Sequence, residues 1–499
     1  MKTMLERGAG ILMPISSLPS PYGIGSFGKA AYEFVDFLVQ ARQKYWQVLP
    51  VGPTSYGDSP YQSFSAFAGN PYFIDLDTLK EEGLLTQQEI DACYWGEDPA
   101  KVAYDAVYWY RFPLLKKAYE RSEFREEEGY EKFCMESWYW LNDYAFYMAL
   151  KNHFENKEWA AWPEEIRFRK KEAVERFKEE LKTEIDYWKF LQYKFFQQWK
   201  KLRAYAKSKG ISIIGDIPIY VAYDSADVWT HPELFLLDEK SLAPLQVAGV
   251  PPDAFSGTGQ LWGNPIYRWD VQEKTDFAWW KERMKASARL YDIVRIDHFI
   301  GVVQYYMIPA GSEDGKVGEW VKGPGKKLTD AINQVIGDTK IIAEDLGIYV
   351  PEVKALLEET GYPGMKILEF AFSGDRFNEH LPHMYSPNSV VYGGTHDNET
   401  LVGYFDPKER QWWELQYIVD YMGISHQTEI VDRLMFTAYS SVASVVIFQA
   451  QDVLKLDSSA RMNTPGTVGG NWRWRMLPGQ LKKEHADRLA WLVDIFGRF

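Results

Sequence analysis

A chain of 499 residues with 70 Asp and Glu against 56 Lys and Arg, net charge −14, lacks the basic surface that nucleic-acid phosphates demand and suits a neutral substrate. Its two cysteines, Cys93 and Cys134, cannot form a disulfide framework for such a length and lack metal-ligand spacing, which fits a reducing, cytoplasmic setting. No run has the apolar length of a bilayer span, and Pro14 interrupts the N-terminal Gly10-Ile11-Leu12-Met13 with no cleavage pattern after it, so no membrane association is expected.

In chain order, short apolar runs bounded by turn residues predict buried strands at 11–15, 45–49, 211–217, 292–297, 340–345, 365–370, 389–394 and 445–449. Helix-like segments such as 32–41 and 352–360 lie between most of them. The alternation predicts an α/β fold, a (β/α)8 TIM barrel with inserted helical and loop subdomains. Residues 1–75 are expected to form the first part of the barrel with a substrate loop, and 76–210 an inserted, mainly helical subdomain. Residues 211–499 then supply the rest of the barrel with its active-site loop insertions. Within the insert, 167–182 reads as a solvated amphipathic face. Leu191, Phe195, Trp199 and Leu202 recur at helical spacing in a long helix that Gly210 stops. Three stretches rich in Gly, Pro, aromatics and amides, 54–62, 251–265 and 461–475, read as the loops around a pocket.

Four of the strands deliver an acid at or near their C-terminal ends, where barrel enzymes keep their chemistry: Asp216, Asp297, Glu344 and, after Gly393-Gly394-Thr395-His396, Asp397. A strand-ending acid is often only a helix cap, the reading that fits Asp345 and Asp224. Company argues otherwise for the rest. Arg295 lies two residues before Asp297, so alternation puts both on one face, where the cation favours a nucleophilic carboxylate. His298, His396 and Asn398 add polar neighbours that a cap does not need. Aromatic residues make up 16% of the chain, with 20 Trp and 32 Tyr, and rings flanked by Asp, Asn and His suit sugars, although most of the rings belong to the core.

From about Gly10 onward the chain resembles the amylomaltases, or disproportionating enzymes: 4-α-glucanotransferases of glycoside hydrolase family 77 in the α-amylase clan. Gly215-Asp216-Ile217-Pro218-Ile219-Tyr220, Arg295-Ile296-Asp297-His298, Ala343-Glu344-Asp345-Leu346-Gly347 and Thr395-His396-Asp397-Asn398 look like the four clan motifs in order. More specific to the family are Ser59-Pro60-Tyr61-Gln62, Gly259-Gln260-Leu261-Trp262-Gly263-Asn264-Pro265 and Arg461-Met462-Asn463-Thr464-Pro465-Gly466. The resemblance implies Asp297 as nucleophile, Glu344 as general acid and base, and Asp397 as the carboxylate that grips a distorted sugar ring. It implies substrate-binding roles for Arg295, His298, His396, Asp216, Tyr61, Trp262, Asn463 and Ser59, and a secondary glucan site at Tyr56. The implied substrates are α-1,4-glucans (maltooligosaccharides, starch, glycogen) with glucose as an acceptor, and neither cofactor nor metal is implied. Two departures stand out: Ile300 where relatives often carry arginine, and Gly257 where alanine is frequent.

Retaining chemistry needs two carboxyl groups about 5–5.5 Å apart across the scissile bond, one attacking and one protonating. Glu344 must therefore begin protonated, and burial beside Asp297 and Asp397 is expected to raise its pKa. The acids do not choose between water and a sugar hydroxyl in the second step; the loops must. An α-1,4-glucan hydrolase using the same acids remains an alternative, as does a barrel enzyme in which Asp216, Glu344, Asp345 and Asp397 hold a divalent ion.

Overall fold

The computed structural model describes residues 5–252 and 256–499, the Tyr56 side chain excepted. Eight strands, β1 (Gly8–Leu12), β2 (Tyr45–Gln47), β3 (Ser212–Pro218), β4 (Ile293–Asp297), β5 (Lys340–Ala343), β6 (Gly364–Ile367), β7 (Ser389–Tyr392) and β8 (Val445–Gln449), form one sheet. Their order is β6-β7-β8-β1-β2-β3-β4-β5, and every neighbouring pair is parallel. This is the expected (β/α)8 barrel. All residues of β1, β7 and β8 are buried, as parallel strands covered on both faces must be. The seam between β5 and β6 has no ladder. There the Ala343 amide donates to the Pro363 carbonyl at 3.0 Å and the Met365 amide to Asp345 Oδ1 at 2.7 Å, so Asp345 closes the barrel.

Strand ends differ from expectation by a few residues, for local reasons. β1 begins at Gly8, ahead of the apolar run, and stops before Pro14, after which Ile15–Ser17 is a 3-10 turn. Gly10 belongs to the strand because a Cβ there would lie 2.4 Å from the Tyr45 carbonyl oxygen: β1 and β2 approach too closely for a side chain. Past β6, Leu368–Phe370 is a 3-10 turn rather than strand.

Between β2 and β3 the regular elements are helical, among them Tyr104–Arg121, Leu141–His153 and Lys182–Ser208. The last buries Leu191, Phe195, Trp199 and Leu202, and Gly210 follows its end at φ 77°. Two buried amides tie this helix to the chain that leaves the barrel. Gln192 exchanges hydrogen bonds with both backbone groups of Gly69 (2.7 and 2.9 Å), and Gln198 Oε1 accepts from the Asp75 amide at 2.7 Å. The charged helix Lys171–Glu180 still buries Ala173 and Phe177.

A second sheet was not foreseen. Gln260–Pro265, Gln246–Val250, Gln304–Pro309 and Glu319–Lys322 pair antiparallel in that order, so part of the 251–265 stretch, read as loop, is strand. Gln-Leu-Trp-Gly-Asn-Pro has no strand alternation of its own; its ladder comes from distant partners. Among the described residues no helix is long and apolar enough to cross a membrane.

Candidate active site

Register brings the first charges together. β3 and β4 pair Asp216 with Arg295, and alternation along β4 sets Arg295 and Asp297 on the same side. Nη1 of the buried Arg295 lies 2.7 Å from both oxygens of Asp216 and 2.9 Å from Asp297 Oδ1. Burial alone would make this guanidinium easier to discharge, but the two carboxylates outweigh it and hold its proton more tightly than usual. Asp297 is therefore fixed at the strand tip by a cation whose other side is anchored in the barrel wall.

Glu344, one residue past β5, is interlocked with the end of β4. Its amide donates to the Ile296 carbonyl at 3.1 Å, and its own carbonyl accepts from the Phe299 amide at 2.9 Å. Its carboxyl accepts from the amides of His298 (2.6 Å) and Leu346 (2.9 Å). Burial first, and the charge of Asp297 second, push this carboxyl up to about 8 against the lowering pull of Arg295 and the two amides. Glu344 is raised as expected, through burial and Asp297; Asp397, expected to add to it, is not a leading contributor.

The chain leaves β4 through His298 in a left-handed conformation, φ 53°. Burial drives the His298 ring down to about 4, outweighing Asp297, so it is neutral at neutral pH. The Trp262 indole meets it edge-on at 4.7 Å, and its Nε2 has no hydrogen-bond partner among the described residues. A buried, neutral nitrogen of this kind is a ready contact for a sugar hydroxyl.

Opposite, His396 and Asp397 lie on the turn after β7. The Tyr61 ring stacks on His396 at 4.7 Å, its hydroxyl donates to Asp216 Oδ2 at 2.9 Å, and the same oxygen sits 3.1 Å from His396 Nδ1. With the Tyr61 proton given to Asp216, Nδ1 is placed to donate to the Tyr61 oxygen, while Nε2 faces Asp397 Oδ1 at 3.4 Å. A charged ring satisfies both contacts. That agrees with the direction of the His396 pKa: burial opposes the charge, but Asp397 outweighs burial and raises it. For Asp397 the surroundings also disfavour charge, yet His396 and the Asn463 amide, 2.6 Å away, hold it down at about 2. Arg461 fixes the turn by donating to the Asp397 carbonyl at 2.8 Å and the Asn463 carbonyl at 2.8 Å.

The loops converge on the same place. Ser59 Oγ accepts from the Tyr61 amide at 3.2 Å, so it shapes the loop that presents Tyr61. Gln62 Nε2 reaches the Trp262 carbonyl (3.3 Å) and Asn264 Oδ1 (3.2 Å), tying that loop to the second sheet. Trp472 packs near Tyr61 and His396 at 5.7 and 5.8 Å. Arg461 and Trp472 were given no role from sequence, although both lie in the 461–475 stretch whose composition marked it as a pocket loop. Asp224 is anchored away from this group by Tyr147, Lys151 and the Trp159 amide, consistent with a structural acid. The Tyr56 side chain and Asp253, Ala254 and Phe255 of the second loop lie outside the described residues, and Ile300 is buried. Among the described residues no three His, Cys, Asp or Glu side chains are grouped to hold a metal ion.

Tyr61→Phe deletes the hydroxyl between Asp216 and His396. It leaves two buried polar groups short of a partner, at roughly 1–3 kcal/mol, so kcat/KM is expected to fall about 10- to 100-fold. Activity equal to wild type at an unchanged Tm would remove Tyr61 from the site.

Comparison with known proteins agrees with this arrangement. A family model described as 4-alpha-glucanotransferase, glycoside hydrolase family 77, matches residues 13–481. The 4-alpha-glucanotransferase of Clostridium butyricum is 49% identical over 486 residues, covering 97% of this chain and 100% of that one. That of Thermus thermophilus is 46% identical over 501 residues, covering 98% and 99%. Among solved structures, an amylomaltase from Streptococcus agalactiae in complex with acarbose superposes with TM-score 0.95 at 42% identity, covering 99% of this chain and 100% of that one. With the model and these full-length relatives in agreement, the chain belongs to the 4-alpha-glucanotransferases of glycoside hydrolase family 77.

Proposed function

We propose that this pocket transfers α-1,4-glucan segments by a retaining double displacement, with Asp297 as nucleophile, Glu344 as acid and base, and Asp397 gripping the reacting ring. The observation that carries the reading is the tie of the Glu344 carboxyl, through the His298 amide at 2.6 Å, to the strand tip where Arg295 holds Asp297 at 2.9 Å, with Glu344 raised to about 8 and Asp397 lowered to about 2 in agreement. Environments that push two acids apart assign their tasks: one arrives with a proton to give, the other stays an anion to bind. The Asp297 carboxylate attacks the anomeric carbon while Glu344 protonates the departing 4-oxygen, leaving a glycosyl ester on Asp297 and an anionic Glu344. Glu344 then takes the proton of an incoming 4-hydroxyl as that oxygen displaces the ester.

Choice of acceptor falls to the surroundings. Trp262, held over His298, and Asn463, bound to Asp397, are proposed to seat the acceptor sugar and exclude water, replacing a bimolecular encounter with a positioned one. Arg295, His396, Asp216, Tyr61 and Ser59 are assigned to fixing the nucleophile and the ring-gripping carboxylate, and His298 Nε2 to a sugar hydroxyl. Glucose is proposed as an acceptor, and the cytoplasm as the location, in keeping with free Cys93 and Cys134. Residues 76–210 are proposed as a subdomain inserted into the barrel.

The test is incubation with pure maltotriose. A ladder of longer glucans and free glucose at constant total reducing ends supports transfer; rising reducing ends would mean hydrolysis. Trp262→Ala is expected to lower the transfer-to-hydrolysis ratio roughly 3- to 10-fold while leaving donor cleavage largely intact. The pH profile is a second check. Glu344 acts in its protonated form, so kcat/KM is held below about 8 and lost as pH rises through that value. A limb centred near pH 5 would contradict the assignment.

A further inference from the structure

Behind the Asp397 turn lies a pair of carboxyl groups that the mechanism above does not use. Glu369, in the turn after β6, and Asp452, in the short helix after β8, flank the extension of β7 from both sides, and both are buried, at 3% and 0% exposure. Each lies against one of the two glycines that precede Thr395, Glu369 at Gly394 and Asp452, together with the closer Phe448 ring, at Gly393. A Cβ on Gly394 would lie 2.6 Å from Glu369 Oε1, and one on Gly393 would lie 3.1 Å from Asp452 Oδ2. Those same two oxygens have no hydrogen-bond partner among the described residues. The other oxygen of each acid holds the turn. Glu369 Oε2 accepts from Asn398 Nδ2 at 3.2 Å, and Asp452 Oδ1 accepts from the Leu401 amide at 2.8 Å. Asn398 in turn accepts from the Thr395 amide and hydroxyl, both at 2.9 Å, and Thr395 Oγ1 accepts from the Asp397 amide at 3.3 Å.

We propose that Glu369 and Asp452 are positioning residues for Asp397, reaching beneath the β7 extension from either side and holding the turn 395–401 through Asn398 and the Leu401 amide. The proposal rests on the ring-gripping role of Asp397 given above. Two carboxylates so placed would repel each other across the glycines with an unpaired oxygen each, and a proton kept on one relieves both. Burial raises the two acids in agreement with this: Glu369 far above the carboxyl range, with Asp452 adding to it, and Asp452 to about 7, with Glu399 adding to it. The charged neighbours are few. Glu399, after β7, works against ionisation, and Arg461, 3.5 Å from Glu399, works for it. When the pair becomes fully ionised the turn loosens, and activity acquires an alkaline loss separate from that of Glu344.

The test compares kcat/KM on maltotriose from pH 5 to 10.5 for the wild type, Glu369→Gln and Glu369→Leu, with Tm recorded at each pH. Glutamine keeps an oxygen for Asn398 and cannot ionise. Near pH 6 it is expected to retain activity within about threefold, and its alkaline limb to fall with a slope of one where the wild type steepens toward two. Leucine removes the acceptor for Asn398, and kcat should drop about tenfold or more, a loss that glutamine rescues. A wild-type limb with a slope of one throughout, or a Glu369→Gln limb of the same shape as wild type, overturns the proposal, and this reading stands even if the leucine variant fails to fold. Full activity in Asp397→Asn would instead bring down the role of Asp397, which separates the two failures.

Discussion

Asp297→Asn is expected to lower kcat by roughly 10⁵-fold while leaving glucan binding within a few-fold of wild type. The amide occupies the same volume and keeps an oxygen for Arg295 Nη1, now 2.9 Å from Asp297 Oδ1, so the pocket should survive the change. What disappears is the charge that attacks the anomeric carbon. The buried pair of Arg295 with Asp216 remains, so the guanidinium is not left without a counter-charge. Single-turnover cleavage of maltotriose measures the loss, and quenching of tryptophan fluorescence by bound glucan measures binding, Trp262 and Trp472 standing at the site. More than about 1% residual turnover would assign the nucleophile elsewhere.

Glu344→Gln should cost about 10²- to 10⁴-fold on maltotriose, the range for removing a general acid and base, and the loss should depend on the leaving group. An α-glucosyl fluoride departs without needing a proton, so fluoride release in a first turnover should approach the wild-type rate. The ester on Asp297 then persists, because no base remains to activate the acceptor. In the wild type the rate on maltotriose falls as pH rises through about 8, whereas the fluoride burst of the variant should show no such loss from residue 344. Equal impairment on both donors would exclude Glu344 as the acid and leave it a purely structural role between β4 and β5.

The barrel was legible because its signal is local. Each strand is a short apolar run ended by a turn residue, and β8 was placed to the residue, at Val445–Gln449. The contact of Arg295 with Asp297 was legible for the same reason: two positions along a strand share a face, so the two side chains had to meet. The amphipathic face of Lys182–Ser208 and its stop at Gly210 also follow from spacing alone. Less visible was the sheet containing Gln260–Pro265, whose sequence resembles a loop until Gln246–Val250 supplies its hydrogen bonds. Glu369 and Asp452 carried no sequence signal, because an acid after a strand looks alike whether it caps a helix or supports a turn.

The sequence by itself therefore determined the eight-fold alternation, the strand tips that carry the acids and, by resemblance, the family. Tertiary structure alone decided how those acids are tuned. Asp216 and Arg295 are partners through the register of β3 on β4, and Asp345 closes the β5 to β6 seam in place of a ladder. Glu344 is raised by burial and by Asp297 from another strand, and Asp397 is lowered by its chain neighbour His396 together with Asn463 from a separate loop. Alternation is set by bonds between neighbours in the chain, so composition and spacing reveal it. Solvation and Coulomb energy depend on distances between atoms that lie tens of residues or more apart in the chain, and only the folded chain fixes those.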